Sequence, residues 1–368
     1  MGYNTELCYD LPDKSTRGLE KNMNLVVFRY VCILFSCLAF TLSLEATGDI
    51  LCVGSSIVDY TVFVPDEWLR SVKAERGSCV SISKNEFNSQ LQSVSRLYLP
   101  IVKTGGSAGI VVKSLGCLGC SPVFLSKYGS DKEAQFFKST LQEYGVTLLG
   151  KNVEGETGRV LCCISPDGQR SFFFCMESIG DPDVEDVIDS LFQNVKILHI
   201  EGYFLRNKPL LEKLLKVALN NRVCVSFDLG TFVLVKENRE YLKHKVLPYI
   251  HILIGNHDEM KALFNTDHEI DHSLKELACT SVVLKGEEGC LLYCDGVMKR
   301  YSTRKVIPLD TTGAGDLFTS GFLFGILKNW PIEKCVQLAN LLGGEVVQHI
   351  GGEIPQNRWN EIKKEFSL

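Results

Sequence analysis

The chain has 368 residues, 45% hydrophobic and 23% charged, enough to bury a sizeable core as one large domain or two. A net charge of -5 supplies no basic stripe, which excludes a nucleic-acid partner on electrostatic grounds. Its 15 cysteines sit in apolar contexts such as Leu51-Cys52-Val53, and Cys117-Leu118-Gly119-Cys120 has no second pair, so reduced core thiols are expected and not a zinc site.

Residues 1–48 differ from the rest of the chain. Asn24 to Leu44 is mostly apolar, and taken from Met23 it has the outline of a signal peptide. As a membrane span it is borderline, since a span needs about 20 apolar residues. An uncleaved anchor, or an extension upstream of the true start, is expected, with the globular domain at 49–368.

Ile50-Leu51-Cys52-Val53-Gly54 is a continuous apolar run, as for a strand buried on both faces. Asp59 follows its C-terminal end, where open parallel sheets place ligands; it serves either a turn or a ligand. Val62 to Val64 reads as a short strand and Glu67 to Val72 as a helical turn. Phe87, Leu91, Val94 and Leu97 recur at helical spacing across Asn85 to Leu97. Gly105-Gly106-Ser107 precedes a helical run to Leu118. A strand at Pro122 to Lys127 and an amphipathic helix at Asp131 to Tyr144 come next.

Val160 to Ile164 and Arg170 to Phe174 flank Ser165-Pro166-Asp167-Gly168-Gln169, a hairpin signal. Strands at Val195 to Ile200, Val223 to Leu229 and Ile250 to Ile254 then alternate with helices at Pro209 to Leu219 and Lys236 to His244. That alternation predicts an α/β fold, a three-layer sandwich with a central, mostly parallel sheet.

Three further stretches carry chemistry. Asn256-His257-Asp258-Glu259 ends one strand and starts a helix, which as a bare pattern is a capping arrangement. Lys285-Gly286-Glu287-Glu288-Gly289 is a glycine loop after a strand, without the Walker order. Asp310-Thr311-Thr312-Gly313-Ala314-Gly315-Asp316 follows the extended Lys305 to Leu309 and feeds the apolar run Phe318 to Leu327, read as a buried helix. Glycines at a helix mouth let a ligand approach amides that lack intrahelical partners, and such a terminus favours anions. Asp316 in that turn is either a cap or a general base for a hydroxyl whose incoming phosphoryl group the amides hold.

The Asp310 to Asp316 motif resembles the C-terminal signature of the ribokinase-like (PfkB) carbohydrate and nucleoside kinases, and other segments are similar to the adenosine kinase-like branch. The resemblance implies Asp316 as catalytic base and Gly313, Ala314 and Gly315 as the anion hole. It implies that Asp59, Gly105, Gly106 and Ser107 bind substrate, under a small β lid. Asn256 and Glu259 would organise water and Mg2+ around the ATP phosphates, with Glu259 acting on the metal through water. Lys285, Gly286 and Gly289 would lie near the nucleotide, and Asn340 either beside its adenine or facing solvent.

ATP and Mg2+ are thus the implied cofactors, with a monovalent cation as an optional third. The implied partners are ATP and a nucleoside or sugar, for a cytoplasmic monomer or homodimer that meets a membrane only if residues 1–48 are a real anchor. Ile57 and Ser107 look adenosine kinase-like. Ile110 departs from the family, where an Asn that binds substrate hydroxyls usually stands. The expected reaction is transfer of the ATP γ-phosphoryl group to a primary hydroxyl of a nucleoside, adenosine-like, or of a sugar. A fructose- or ribose-type sugar kinase and a catalytically silent nucleoside-binding protein are the alternatives. No Gly-x-Gly-x-x-Gly follows the first strand, which disfavours an NAD-binding dehydrogenase.

Overall fold

The computed structural model describes residues 48–176, 181–266 and 270–368. The apolar stretch Asn24 to Leu44 lies outside the described residues, as does the rest of the expected N-terminal extension up to residue 47.

The chain enters through β1 (Ile50–Val53), whose four residues are all buried. A second region then forms from β2 (Ile57–Phe63), α1 (Asp66–Ser71), β3 (Cys79–Ser81), α2 (Lys84–Ser95) and β4 (Ile101–Gly105). Helix α3 (Ser107–Cys117) returns the chain to β5 (Pro122–Leu125), α4 (Lys132–Glu143) and β6 (Thr147–Leu149). The hairpin β7 (Gly158–Ile164) and β8 (Arg170–Cys175) rejoins the second region. From β9 (Ile197–Glu201) the units are regular: α5 (Lys208–Asn220), β10 (Cys224–Asp228), α6 (Phe232–Glu237), β11 (Ile252–Asn256), α7 (His257–Phe264) and β12 (Thr280–Leu284). Strands β13 (Cys290–Cys294) and β14 (Val297–Tyr301) precede three closing helices, α8 (Ala314–Leu327), α9 (Ile332–Val346) and α10 (Gln356–Phe366).

Among the described residues, nine strands form the larger sheet in the order β14-β13-β12-β11-β10-β9-β1-β5-β6. It is parallel from β12 to β6, and only the β12–β13 and β13–β14 pairs are antiparallel. Because β1 points its residues alternately to the two faces, Ile50 and Cys52 join one core with α3, α4, α8, α9 and α10. Leu51 and Val53 join the other, with α5, α6 and α7. This is the three-layer α/β arrangement expected.

The smaller sheet runs β3-β8-β7-β2-β4. One of its faces packs on its own helices: Trp68 meets Phe173 edge-on at 6.1 Å, and Tyr60 meets Phe87 at 6.0 Å.

Several elements differ from their expected form. The strand expected at Val62 to Val64 is the seven-residue β2, which carries Asp59 inside it. The helix expected at Lys236 to His244 starts earlier, at Phe232, to bury Leu234 and Val235. It breaks at Asn238, whose side-chain amide donates to the Leu234 carbonyl at 3.0 Å, competing for a helical acceptor. The chain continues as the short helix Arg239–Tyr241 and a wide turn, Leu242–Val246. Five strands, β3, β4, β6, β13 and β14, have no counterpart among the elements expected from the sequence. For β13–β14 a signal existed: Asp295-Gly296 between them takes φ of 49° and 78°, the left-handed pair of a tight hairpin.

Helix α8 is placed by close approach to α9. A Cβ on Gly321 would fall 2.8 Å from Ala339 Cα, and one on Gly325 would fall 2.9 Å from Cys335 Cα. Both contacts are with main chain, so the helices must part to admit a methyl group. Gly321→Ala is therefore expected to lower stability by about 1–3 kcal/mol despite alanine's better helix propensity. Urea unfolding tests this, and an unchanged midpoint would mean that α8 and α9 are free to separate.

Candidate active site

Gly313 precedes α8 with φ +76°, a left-handed conformation that an L side chain rarely adopts, and no side chain caps the helix. A Cβ there would also lie 3.1 Å from Gly352 Cα. The amides of Gly315 and Asp316, at the second and third helical positions, thus face outward without intrahelical acceptors. The loop before them is held by the buried Asp310. Its carboxylate accepts from the Thr312 amide at 2.9 Å, the Thr312 hydroxyl at 2.6 Å and the Gly351 amide at 2.9 Å. Arg170, from the start of β8, reaches the same loop and donates to Thr312 Oγ1 and, at 2.7 Å, to Thr311 Oγ1.

Asp316 stands in this first turn. The Ser107 hydroxyl donates to its Oδ1 at 2.6 Å across 209 residues of sequence. Burial pushes the Asp316 carboxyl up to about 7, and Asp228 and Asp59 add to the rise. Asp59 projects from β2 against Gly105 of β4, its Cα partner being Lys103. A Cβ on Gly105 would fall 2.1 Å from Asp59 Oδ2, so any side chain there would displace the Asp59 carboxylate. Burial raises Asp59 to about 7 while Lys113 pulls the other way. Gly106, with φ +80°, then turns the chain into α3. Asp59, Gly105, Gly106, Ser107 and Asp316 are thereby brought to one place.

Two acids at this edge were not singled out by the sequence motifs. Glu201 ends β9, is 4% exposed, and accepts from the Ala108 amide at 2.9 Å. Burial drives its carboxyl up to about 8. Asp228 ends β10 as the Cα partner of Glu201 and accepts from the Gly230 amide at 2.8 Å. Each is an acid closing an apolar strand. The rule that open parallel sheets bind at the C-terminal ends of their strands would have singled out both.

Asn256 and Glu259 form a reciprocal cap on α7: the Asn256 side chain accepts from the Glu259 amide at 2.9 Å, and the Glu259 carboxylate accepts from the Asn256 amide at 2.8 Å. The capping reading is therefore correct as geometry. Glu259 is nevertheless raised well above a normal carboxyl, first by burial and then by the charge of Asp228. Two desolvated acids acting on each other fit a hard divalent cation, which would relieve both. Among the described residues no group of three or more His, Cys, Asp or Glu forms a metal cage, so such an ion would draw most of its shell from water and phosphate oxygens.

Beyond α8 lie the remaining residues. The Lys285 amide donates to the Gly289 carbonyl at 2.9 Å, closing the glycine loop after β12, with φ +57° at Gly286 and +91° at Gly289. Leu284 of that strand would touch a Cβ on Gly315 at 3.5 Å, which sets the loop beside the start of α8. Gly289 also abuts the Tyr301–Thr303 segment. Asn340 of α9 meets the same segment through its side-chain amide, 3.4 Å from the Ser302 carbonyl, which brings it toward the loop. Ile110 is 5% exposed and packs toward Gly352, where a Cβ would meet its Cδ1 at 3.4 Å.

A family model described as pfkB family carbohydrate kinase matches residues 101–359. An ATP-dependent 6-phosphofructokinase from Thermoanaerobacterium thermosaccharolyticum is 24% identical over 275 residues, 72% of this chain and 85% of that protein. Adenosine kinase from Sinorhizobium meliloti superposes with a TM-score of 0.78 at 26% identity, covering 87% of this chain and 100% of that one. A probable sugar kinase from Rhizobium etli superposes equally well, TM-score 0.78 at 25% identity, covering 88% and 99%.

Acids raised in this way bind protons more tightly in the folded than in the unfolded chain. They favour folding at low pH, and that stability is lost as pH climbs from about 4 to about 7, where Asp316 and Asp59 ionise. Asp316→Asn is thus expected to raise stability above pH 7, on the order of 1–2 kcal/mol after allowing for screening at its open side, with no gain near pH 4. Thermal melts of both proteins across pH test this. An equal gain at every pH would mean that the charge of Asp316 is not the cause.

Proposed function

Because the chain belongs to the PfkB family of carbohydrate kinases, phosphotransferases that act on hydroxyl groups, we propose that it transfers the γ-phosphoryl group of ATP to the primary hydroxyl of a nucleoside, adenosine above all. The observation that carries this reading is the placement of Asp316. It is a poorly solvated carboxylate in the first turn of an uncapped helix, with a hydroxyl already 2.6 Å from its Oδ1.

In the mechanism Asp316 accepts the proton of the acceptor hydroxyl, a task suited to a base whose pKa lies near neutrality. The Gly313, Ala314 and Gly315 backbone surrounds the transferring group. The open Gly315 amide and that of Asp316 are donors fixed beforehand, and the Ala314 amide is held by the Thr311 carbonyl at 3.4 Å, so charge developing there needs little reorganisation. Asp59, Gly105, Gly106 and Ser107 orient the acceptor. Asn256, Lys285, Gly286, Gly289 and Asn340 hold ATP. Glu259, through water and with Asp228 beside it, would hold Mg2+, which supplies neutralisation of phosphate charge. The smaller sheet acts as the lid, excluding water as a competing acceptor.

A nucleoside is favoured over a free sugar by the wall beside Asp59. Its cross-strand neighbours on the same face are Val160 and then Phe174, and Ile57 and Gly158 form the next pair along. Gly158 is covered by Met176, whose sulfur would be 2.6 Å from a Cβ there. Phe174 stacks on Phe172 at 6.1 Å. A flat, apolar surface next to a hydroxyl-binding acid suits a heterocyclic base attached to a ribose.

Asp316→Asn is expected to lower kcat by about 10²–10⁴-fold with ATP and acceptor affinity nearly kept. In the wild type, kcat/KM should fall as pH drops through about 7, because the base must be ionised. Competition of adenosine against ribose and fructose, scored by kcat/KM, tests the acceptor. Preference for a free sugar would reject the nucleoside, and Asp316→Asn retaining kcat would remove the base.

A further inference from the structure

We infer that Lys103, Glu353 and Lys113 form a positioning relay that couples seating of the smaller sheet to the shape of the anion hole. The inference rests on the kinase reading of the site and goes beyond the residues that hold substrate. Glu353 accepts from Lys113 Nζ at 2.6 Å through one carboxylate oxygen and from Lys103 Nζ through the other. Lys113 lies on α3 with its side chain 3% exposed, and it donates also to the Thr104 carbonyl at 2.7 Å. Lys103 lies on β4, the edge strand of the smaller sheet, with its side chain 34% exposed.

The third member connects this pair to the chemistry. Glu353 directly follows Gly351 and Gly352, whose backbone lies behind the start of α8. The Gly351 amide donates to Asp310 Oδ2 at 2.9 Å, and Gly352 Cα would sit 3.1 Å from a Cβ on Gly313. A Cβ on Gly352 would also meet Thr312 Cγ2 at 3.3 Å. Gly351 in turn touches the stem of Lys103, whose Cγ would lie 3.3 Å from a Cβ there. Any shift of Glu353 therefore moves the backbone against which Asp310, Thr312 and Gly313 are set.

The charge count points the same way. Two ammonium groups share one carboxylate, and taking a surplus cation out of water is costly unless its field is used elsewhere. The cluster is felt in the site: Lys113 opposes the rise that burial imposes on Asp59 and on Asp316, while Glu353 adds to the rise at Asp59. When the smaller sheet is seated, Lys103 completes the Glu353 pair. When it lifts, Glu353 is held from α3 alone, and the Gly351–Gly352 turn loses its restraint on the lid side.

The test uses Lys103→Met and, as the parallel charge-removing variant, Lys103→Gln, with Lys103→Arg as the conservative control, all in the full chain. Amide hydrogen exchange of the free protein is followed over residues 310–317, to which Lys103 gives neither its hydrogen bond nor its ion pair, both being with Glu353. Loss of the charge should speed exchange there by about fivefold or more, with exchange in β10 and the melting temperature unchanged. With ATP and adenosine, kcat should fall about tenfold while KM for ATP stays within about twofold, and Lys103→Arg should restore both readouts. Unchanged exchange over 310–317, or kcat within about twofold of wild type, would overturn the relay. If the wild type takes no nucleoside, the exchange measurement still decides the relay, and only the acceptor assignment fails.

Discussion

The start of α8 is left uncapped and poorly solvated acids crowd around it, and the rest of the molecule is arranged to hold these two costly features in place. An ordinary helix start is satisfied by a neighbouring side chain. Here the preceding position is a left-handed glycine backed by a second glycine, Gly352, and no side chain caps the helix. The loop is held by Asp310, which gathers two amides and a hydroxyl, and by Arg170 above it. The open Gly315 and Asp316 amides therefore have a fixed geometry although no side chain among the described residues caps them.

The larger sheet explains why the acids collect there. Parallel strands end on one side, so Glu201 and Asp228, the last residues of adjacent strands, become cross-strand neighbours beneath α8. Glu259 then enters from the helix after the next strand, and Asp316 from α8 itself. Each raises the proton affinity of another. Such a cluster opposes folding near neutral pH, and the two cores, rich in fully buried leucine and phenylalanine, must offset it.

How much the sequence reveals depends on how local each constraint is. The Asp310 to Asp316 segment, the Gly105-Gly106 pair and the β7–β8 turn were legible because a left-handed backbone, as at Gly106, Gly168 and Gly313, or a close approach, as at Gly105, favours glycine. The buried parallel strands were legible as unbroken apolar runs. Strand β4 was not, since Ile101–Gly105 is an edge strand with a lysine and a terminal glycine and shows no such run. Glu201 and Asp228 carry no spacing signal, because only strand order makes them neighbours. The Lys113–Glu353 bond spans 240 residues and is visible only once α3 and the C-terminal loop meet.

The smaller sheet is attached unequally at its two sides, and that asymmetry bears on its role. On its helix-covered side Tyr60 donates to Glu133 of α4 at 2.7 Å, a buried bond to a charged acceptor. On the side of the site it is held by Arg170 and Lys103, cations that keep part of their surface in water, while the buried Lys113 pins β4 by donating to the Thr104 carbonyl at 2.7 Å. Ion pairs with one solvated partner are individually weak, about 0–1 kcal/mol, whereas a buried charge-assisted hydrogen bond contributes roughly 1.5–3 kcal/mol. The Trp68–Phe173 and Tyr60–Phe87 contacts give the sheet packing of its own, so loosening the weaker side need not unfold it. A sheet anchored at β2 and β4 and latched elsewhere by part-solvated cations has the mechanics of a lid that carries Asp59 towards Asp316.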